Sequence, residues 1–223
     1  MQALLDNFAD IDALMRVYPL LLQGLLYTVL LAAVALPLGL LLGLVIAVVY
    51  SFHHRWVNIA LLVYIDLFRA FPVVVLLILV FYGLPFLGLT LGGFAAAVLA
   101  IVLNNSGYYG EIFRAGIESV PRGQYEAARA LGFKPLHVVV YIVLPQAVRN
   151  VLAPLASNSL ELIKTTSIGA LVALPELLRS ARVAQEQTYN PTPLMAAAVI
   201  FFVLLYPVAR WVARLERQAL AAR

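Results

Sequence analysis

Residues 19–50 read PLLLQGLLYTVLLAAVALPLGLLLGLVIAVVY, an uncharged run interrupted only by Gln23 and Thr28. The hydrocarbon core of a bilayer is crossed by about 20 apolar residues in a helix. This run is longer than that, so it should tilt or project beyond the membrane. Working outward, 64% of the 223 residues are apolar and 12% are charged, and the mean hydropathy is +0.96. Soluble domains lie nearer one half apolar and a quarter charged, and a soluble fold this size could not hide so much apolar surface. The chain is therefore expected to be an all-α integral membrane protein. That composition excludes a soluble enzyme, a secreted disulfide scaffold and a disordered tail. The absence of cysteine removes disulfides, thiolate zinc sites and cysteine nucleophiles. Residues 1–16 carry Asp6, Asp10 and Asp12 and lack the basic start and small-residue cleavage site of a signal peptide. The long run is thus read as a true first span.

About five transmembrane helices are expected, near 19–50, 57–82, 92–110, 139–163 and 194–213. Residues 1–18 form an N-terminal segment on the periplasmic side. Residues 19–218 form one transmembrane domain, and 219–223 a cytoplasmic tail. The second run contains Asp66, Arg69 and Pro72, the third fades into Asn104–Asn105–Ser106, and Pro145 and Pro154 break the fourth. No internal repeat is visible, and five spans do not divide into the inverted halves common in secondary carriers. With the N-terminus outside, nine of the 15 Lys and Arg face the cytoplasm, among them Arg55, Arg114, Arg122, Arg129, Lys134 and Arg223. Only Arg16, Arg179 and Arg182 then face outward, so the positive-inside rule puts the C-terminus in the cytoplasm. The same rule accounts for the net charge of +4 without a nucleic acid partner.

The longest cytoplasmic loop, about 111–138, begins EIFRAGIESVPRGQYEAARALGFKPLH. Pro121 suits the first turn of a helix. Gln124–Leu131 are good helix formers with Glu126 and Arg129 three apart. Gly132 stands where a helix ends on a left-handed residue. Pro145 should kink the following helix. The expected product is a short helix across the membrane face, a knob of the kind that docks in a partner's groove.

The pattern Glu126–Ala127–Ala128, Gly132 and Ile142–Val143–Leu144–Pro145 resembles the EAA motif of ABC importer permeases at every fixed position. The segments YIDLFRAFP (64–72), YYGEIFRAGIESVPRGQYEAARALG (108–132), IVLPQAVRNVLAPL (142–155), KTTSIGALVALPELL (164–178) and LERQ (215–218) extend the resemblance to the polar amino acid permeases for histidine, glutamine, glutamate and arginine. It covers about residues 19–218. The resemblance implies a permease subunit of the inner membrane that pairs with a second, identical or related permease. It also implies two cytoplasmic ATPase subunits, which hold ATP and Mg, and an extracytoplasmic amino acid binding protein. Glu126, Ala127, Ala128 and Gly132 would then form the contact that couples the permease to the ATPase. This chain is not expected to be an enzyme, to bind a metal or to hold a cofactor. It has no GxxxxGK[ST] loop.

Ionisable residues inside a membrane are costly and default to functional candidates. Asp66 with Arg69 and Glu161 with Lys164 are each three apart, so each pair shares a helix face. Together with Thr165 and Ser167 they could complement the carboxylate and ammonium of an amino acid. The other reading is intrachain ion pairs that hold the bundle. Asn104, Asn105 and Ser106 are read as hydrogen-bonding glue between helices, and Gly39 with Gly43 as a close-packing GxxxG. One departure stands out. Where the family often reads Gly-Thr-Pro followed soon by Gln, this chain has Ala70–Phe71–Pro72 and then an apolar run. The competing function is a stand-alone ion-coupled carrier that uses Asp66, Glu161 and Lys164, but it leaves the EAA spacing without a purpose.

Overall fold

Nine helical segments account for most of residues 8–221, the part of the chain that the computed structural model describes. Asp6 and Arg223 lie outside the described residues. Helix α1 (Ile11–Tyr50) begins eight residues earlier than the apolar run, because Asp10 caps it: its carboxylate accepts from the Ala13 amide. An N-cap carboxylate both satisfies an orphan donor and complements the helix dipole. Part of the stretch expected as a separate N-terminal segment, 1–18, is therefore the start of this helix. The buried residues of α1 recur every three or four positions, from Ala13 and Val17 through Thr28 and Leu31 to Gly43 and Ile46. That spacing puts them on one stripe.

The expected second span, 57–82, is instead two helices, α2 (Arg55–Ala70) and α3 (Val73–Leu87), bent by 98° at Phe71–Pro72. Pro72 pushes Phe71 out of the helical region, and Phe71 indeed sits at φ −75°, ψ 127°. The break orphans carbonyls. Asn104 Nδ2 donates to the carbonyls of both Phe68 (2.8 Å) and Phe71 (3.1 Å), so the elbow is sealed from the neighbouring helix.

That neighbour, α4 (Gly93–Glu118), is the axis of the fold. It runs eight residues past the expected limit of 110 and is buried on all sides along most of its length. Its polar residues do bind helices together. Asn158 Nδ2 reaches Asn105 Oδ1 at 3.3 Å. Ser106 donates to the Leu103 carbonyl, so the Tyr64 hydroxyl at 2.7 Å is its donor. Tyr109, fully buried, lies 3.0 Å from Ser159 Oγ. Gly43 explains how α1 comes so close: a Cβ there would sit 2.4 Å from Tyr109 Cβ and 2.8 Å from the Gly110 amide. The GxxxG of α1 is thus used within the chain.

After α5 (Arg122–Ala130), the chain turns back as α6 (Pro135–Asn150) and α7 (Leu152–Val172), bent by 67°. The expected kink at Pro145 is absorbed by a wide turn over Val138–Val143, which places Pro145 in the first turn of the next helical piece, where no N–H is missed. The bend falls at Val151 (φ −113°, ψ 15°), three residues before Pro154. The charged, Pro-rich stretch 164–193 holds a helix the spacing did not suggest, α8 (Leu177–Thr188), packed on the N-terminal half of α1. Helix α9 (Thr192–Ala221) closes the chain. By length and apolarity α1 and α9 each qualify as spans, as does each bent pair taken as one.

Candidate functional site

Helix α5 and the turn after it form the most distinctive polar surface. Pro121 precedes the helix, and its C-terminus is a Schellman turn. The Gly132 amide donates to the Arg129 carbonyl at 3.0 Å and the Phe133 amide to the Ala128 carbonyl at 3.2 Å. Gly132 has φ 81°, which needs glycine, and open space where a Cβ would stand. Of the EAA triplet, Glu126 and Ala127 are exposed. Ala128 is buried with 3% exposure and belongs to the main apolar core. The triplet is thus split between exposed and buried positions. Its last alanine packs the helix against its own chain.

Behind α5 lies a cavity of about 380 Å³, lined by Tyr50, His53, Arg114, Glu118, Arg122 and Tyr125 among others. Arg114 organises it. The guanidinium takes Glu111 with two nitrogens (2.7 and 3.0 Å), reaches Glu118 at 2.6 Å, and lies over the Tyr50 ring at 5.5 Å. The fork geometry of arginine suits such bidentate pairing. This cluster ties the C-terminal ends of α1 and α4 together just where α5 begins. Sequence reasoning counted Arg114 only as a cytoplasmic charge, although Glu111, Arg114 and Glu118 stand at helical i,i+3 and i,i+4 spacing.

The four ionisable candidates divide. Lys164 Nζ donates to Glu161 at 2.6 Å. Asp66 and Arg69 share a face of α2 but form no ion pair, and Arg69 lies instead over the Tyr108 ring at 5.3 Å. Among the described residues no hydrogen bond or ion pair joins the α2 group to the α7 group. Thr165 and Ser167 are occupied within their own helix, donating to the carbonyls of Glu161 (2.8 Å) and Lys164 (3.0 Å).

A buried carboxyl that no motif marked is Glu176, fully inaccessible at the start of α8. Its oxygens accept from the amides of Leu178 (2.9 Å) and Arg179 (2.7 Å), and the Leu177 amide donates to Thr28 Oγ1 of α1 at 3.0 Å. Burial pushes this carboxyl above the usual glutamate range, against the lowering effect of the two amides and of Arg182. Glu176 could have been noticed as the N-cap residue before an apolar-periodic segment, but glutamate is not among the preferred caps.

A family model described as "Binding-protein-dependent transport system inner membrane component" matches residues 35–220. The probable amino-acid ABC transporter permease protein YckA of Bacillus subtilis is 33% identical over 84% of this chain and 83% of its own length. The arginine transport system permease protein ArtQ of the same organism is 36% identical over 88% and 90%. The crystal structure of an amino acid ABC transporter with histidines superimposes with a TM-score of 0.83, at 32% identity, over 94% of this chain and 99% of that one. The inward-facing methionine ABC transporter MetNI shares the fold, with a TM-score of 0.70 at 20% identity over 90% of this chain and 96% of that one. A match of this extent to one family, on a chain with apolar helices bent and packed as in a solved amino acid transporter, places the protein among the binding-protein-dependent inner membrane components, the ABC transporter permeases whose relatives here serve amino acids.

Proposed function

We propose that this chain is one permease subunit of an ATP-driven importer for a polar or charged amino acid, and that α5 is its coupling helix. The observation that carries the reading is the division of labour along α5. Ala128 and the Gly132 turn fix the helix to the body of the chain, while Glu126 and Ala127 are displayed outward. An exposed, rigidly held helix is the shape that a groove on a soluble partner receives. The reading has five spans, with the N-terminus outside and α5 in the cytoplasm. The permease pairs with a second permease and two ATPase subunits, and a binding protein delivers substrate from outside. ATP and Mg belong to the ATPase. Closure of the ATPase dimer moves the paired coupling helices, and the bundle alternates by rigid-body gating. Asp66, Arg69, Glu161 and Lys164 are the candidates for contact with the zwitterion, Arg69 and Asp66 the better ones because among the described residues neither is held by an ion pair.

The test is uptake driven by the assembled transporter. Glu126→Lys, at an exposed position, is expected to lower uptake at least tenfold with the permease still in the membrane at its normal level. ATPase recovered with the wild-type permease in mild detergent should be lost from the variant. Uptake that survives without any ATPase would instead make the chain a stand-alone carrier.

A further inference from the structure

The turn that joins α3 to α4 is apolar at its very tip. Residues 83–93 read GLPFLGLTLGG, and no charged residue stands between Arg69 and Glu111. Phe86 is 91% exposed, Leu87 77% and Leu89 61%, so the chain itself does not cover them. The backbone beneath them is closed on itself. The Gly88 amide donates to the Pro85 carbonyl (3.0 Å) and the Leu89 amide to the Leu84 carbonyl (3.1 Å). Gly88 takes φ 81° to make this turn, and Pro85 has no amide to satisfy. A tip with these donors used and large apolar side chains outside suits a medium that offers few hydrogen bonds.

Helix α4 sets the depth of this tip. Near one end, Arg114 with Glu111 and Glu118 lies beside His53 and marks a polar boundary. Gly93, at the other end, stands 21 residues before Arg114, about 31 Å along the helix axis. The hydrocarbon of a bilayer is about 30 Å thick. The tip before Gly93 therefore lies at the opposite hydrocarbon boundary, and any tilt of α4 draws it inward. This is the level at which Phe and Leu side chains enter the boundary between headgroups and acyl chains. A Cβ on Gly93 would lie 2.9 Å from the Val172 carbonyl oxygen, so the tip leaves the bundle level with the end of α7 and short of α8. The turn between α8 and α9 is different. Asn190 is bonded to Asp10, 40 residues before Tyr50 and about 60 Å away along α1. That turn stands beyond the hydrocarbon at any ordinary tilt, and α8 carries Arg179, Arg182 and Glu186.

We propose that the α3–α4 tip is a lipid-binding surface, with Phe86, Leu87 and Leu89 seated in the headgroup and acyl boundary of the bilayer at the face opposite the Arg114 cluster. It anchors the outer end of the bent α2–α3 pair to lipid rather than to protein. The proposal rests on the chain crossing the membrane and not on the permease reading. The chain has no cysteine, so one nitroxide label can be placed at Phe86→Cys or at Leu87→Cys, both on exposed side chains. The labelled permease is assembled with its partner subunits in vesicles of phosphatidylethanolamine and phosphatidylglycerol. Power-saturation EPR then measures collisions with oxygen, which concentrates in hydrocarbon, and with a nickel chelate, which stays in water. Labels at Val203→Cys, on the exposed face of α9, and at Tyr189→Cys serve as the hydrocarbon and water references. The oxygen-to-nickel ratio at both tip positions is expected to exceed that at Tyr189→Cys at least fivefold, with oxygen collisions at least one third of those at Val203→Cys. A smaller ratio would put the tip in water and overturn the proposal. Oxygen and nickel collisions both below one third of their reference values would show that another protein surface covers the tip, and would overturn it too. If the Val203→Cys label is as open to nickel as the Tyr189→Cys label, α9 does not span the bilayer, and the membrane placement fails along with the lipid contact.

Discussion

At the Tyr50 end of α1, the nine-residue α5 is left almost bare, with Ala128 its one buried residue. At the other end, the twelve-residue α8 is pressed into its own chain through Leu177, Ser180, Ala181 and Ala184. Both are short amphipathic helices that follow the end of a longer one. They differ in what receives them. Opposite α8, Gly24 of α1 leaves no room: a Cβ there would lie 2.6 Å from Ser180 Oγ and 2.9 Å from Leu177 Cα. Opposite α5, only the site under Ala128 is closed, and the space around Gly132 is open. The α8 end is built to hold the first helix, and the α5 end is built to present a surface. An amphipathic pattern alone does not tell these apart, because the pattern records that a face is apolar and not how tightly that face is met.

The sharpest way to break this comparison lies within the EAA triplet. Ala127→Leu is expected to cut ATP-driven uptake at least tenfold with the melting temperature unchanged, since exposed substitutions rarely move stability by more than about 0.5 kcal/mol. Ala128→Leu is expected to overpack the core and to cost about 1–3 kcal/mol in thermal denaturation. Equal stability of the two variants would mean that Ala128 is not the anchor.

A smaller effect is expected at the α8 end. Glu176→Ala removes a buried cap and should cost about 1–2 kcal/mol. Glu176→Gln separates cap from charge. The folded protein holds this carboxyl above its unfolded value, so the stability it contributes is full below the unfolded pKa and is lost as pH rises through the folded one. Melting temperatures measured from acidic to neutral pH should therefore fall for wild type relative to the Gln variant. Parallel curves would show that burial of Glu176 carries no proton linkage.

The smallest effect is expected where the chain neither holds nor presents. The Glu161 and Lys164 side chains are 65% and 47% exposed, and exposed pairs are worth about 0–1 kcal/mol. Lys164→Met should leave the melting temperature of the isolated permease within a degree or two. A large drop would show that the pair holds the permease's own bundle together.

Much of this was legible in the residues. The uncharged run 19–50 made the chain a membrane protein, since no soluble fold can cover it. Gly132 marked a left-handed turn and has one, because only glycine takes φ 81° without strain. Gly39 and Gly43 announced a close approach, though not against which helix. Pro145 suggests a kink that it does not make, because a wide turn ahead of it supplies the missing slack, whereas Pro72, read only as lying inside the second run, marks the 98° elbow. Residues three apart on α2 and α7 looked alike, yet Lys164 reaches Glu161 while Arg69 turns toward Tyr108, an aromatic ring contributed by α4. Spacing places side chains on a common face and says nothing of what stands opposite.

The sequence by itself determined what depends on neighbours along the chain: the apolar class, a long apolar helix over 19–50, a short helix around 124–131 with its glycine stop, and the motif that names the family. Only the tertiary structure decided what depends on approach between distant segments. It showed that Asn104 seals an elbow some thirty residues earlier in the chain, that Ala128 faces inward while Ala127 faces out, that Glu176 is buried, and that Asp10 and Asn190 join segments 180 residues apart. The reason is physical. Helix and turn formation are local, whereas burial and hydrogen-bond partnership are set by which surfaces meet, and no pattern within one segment contains the other surface.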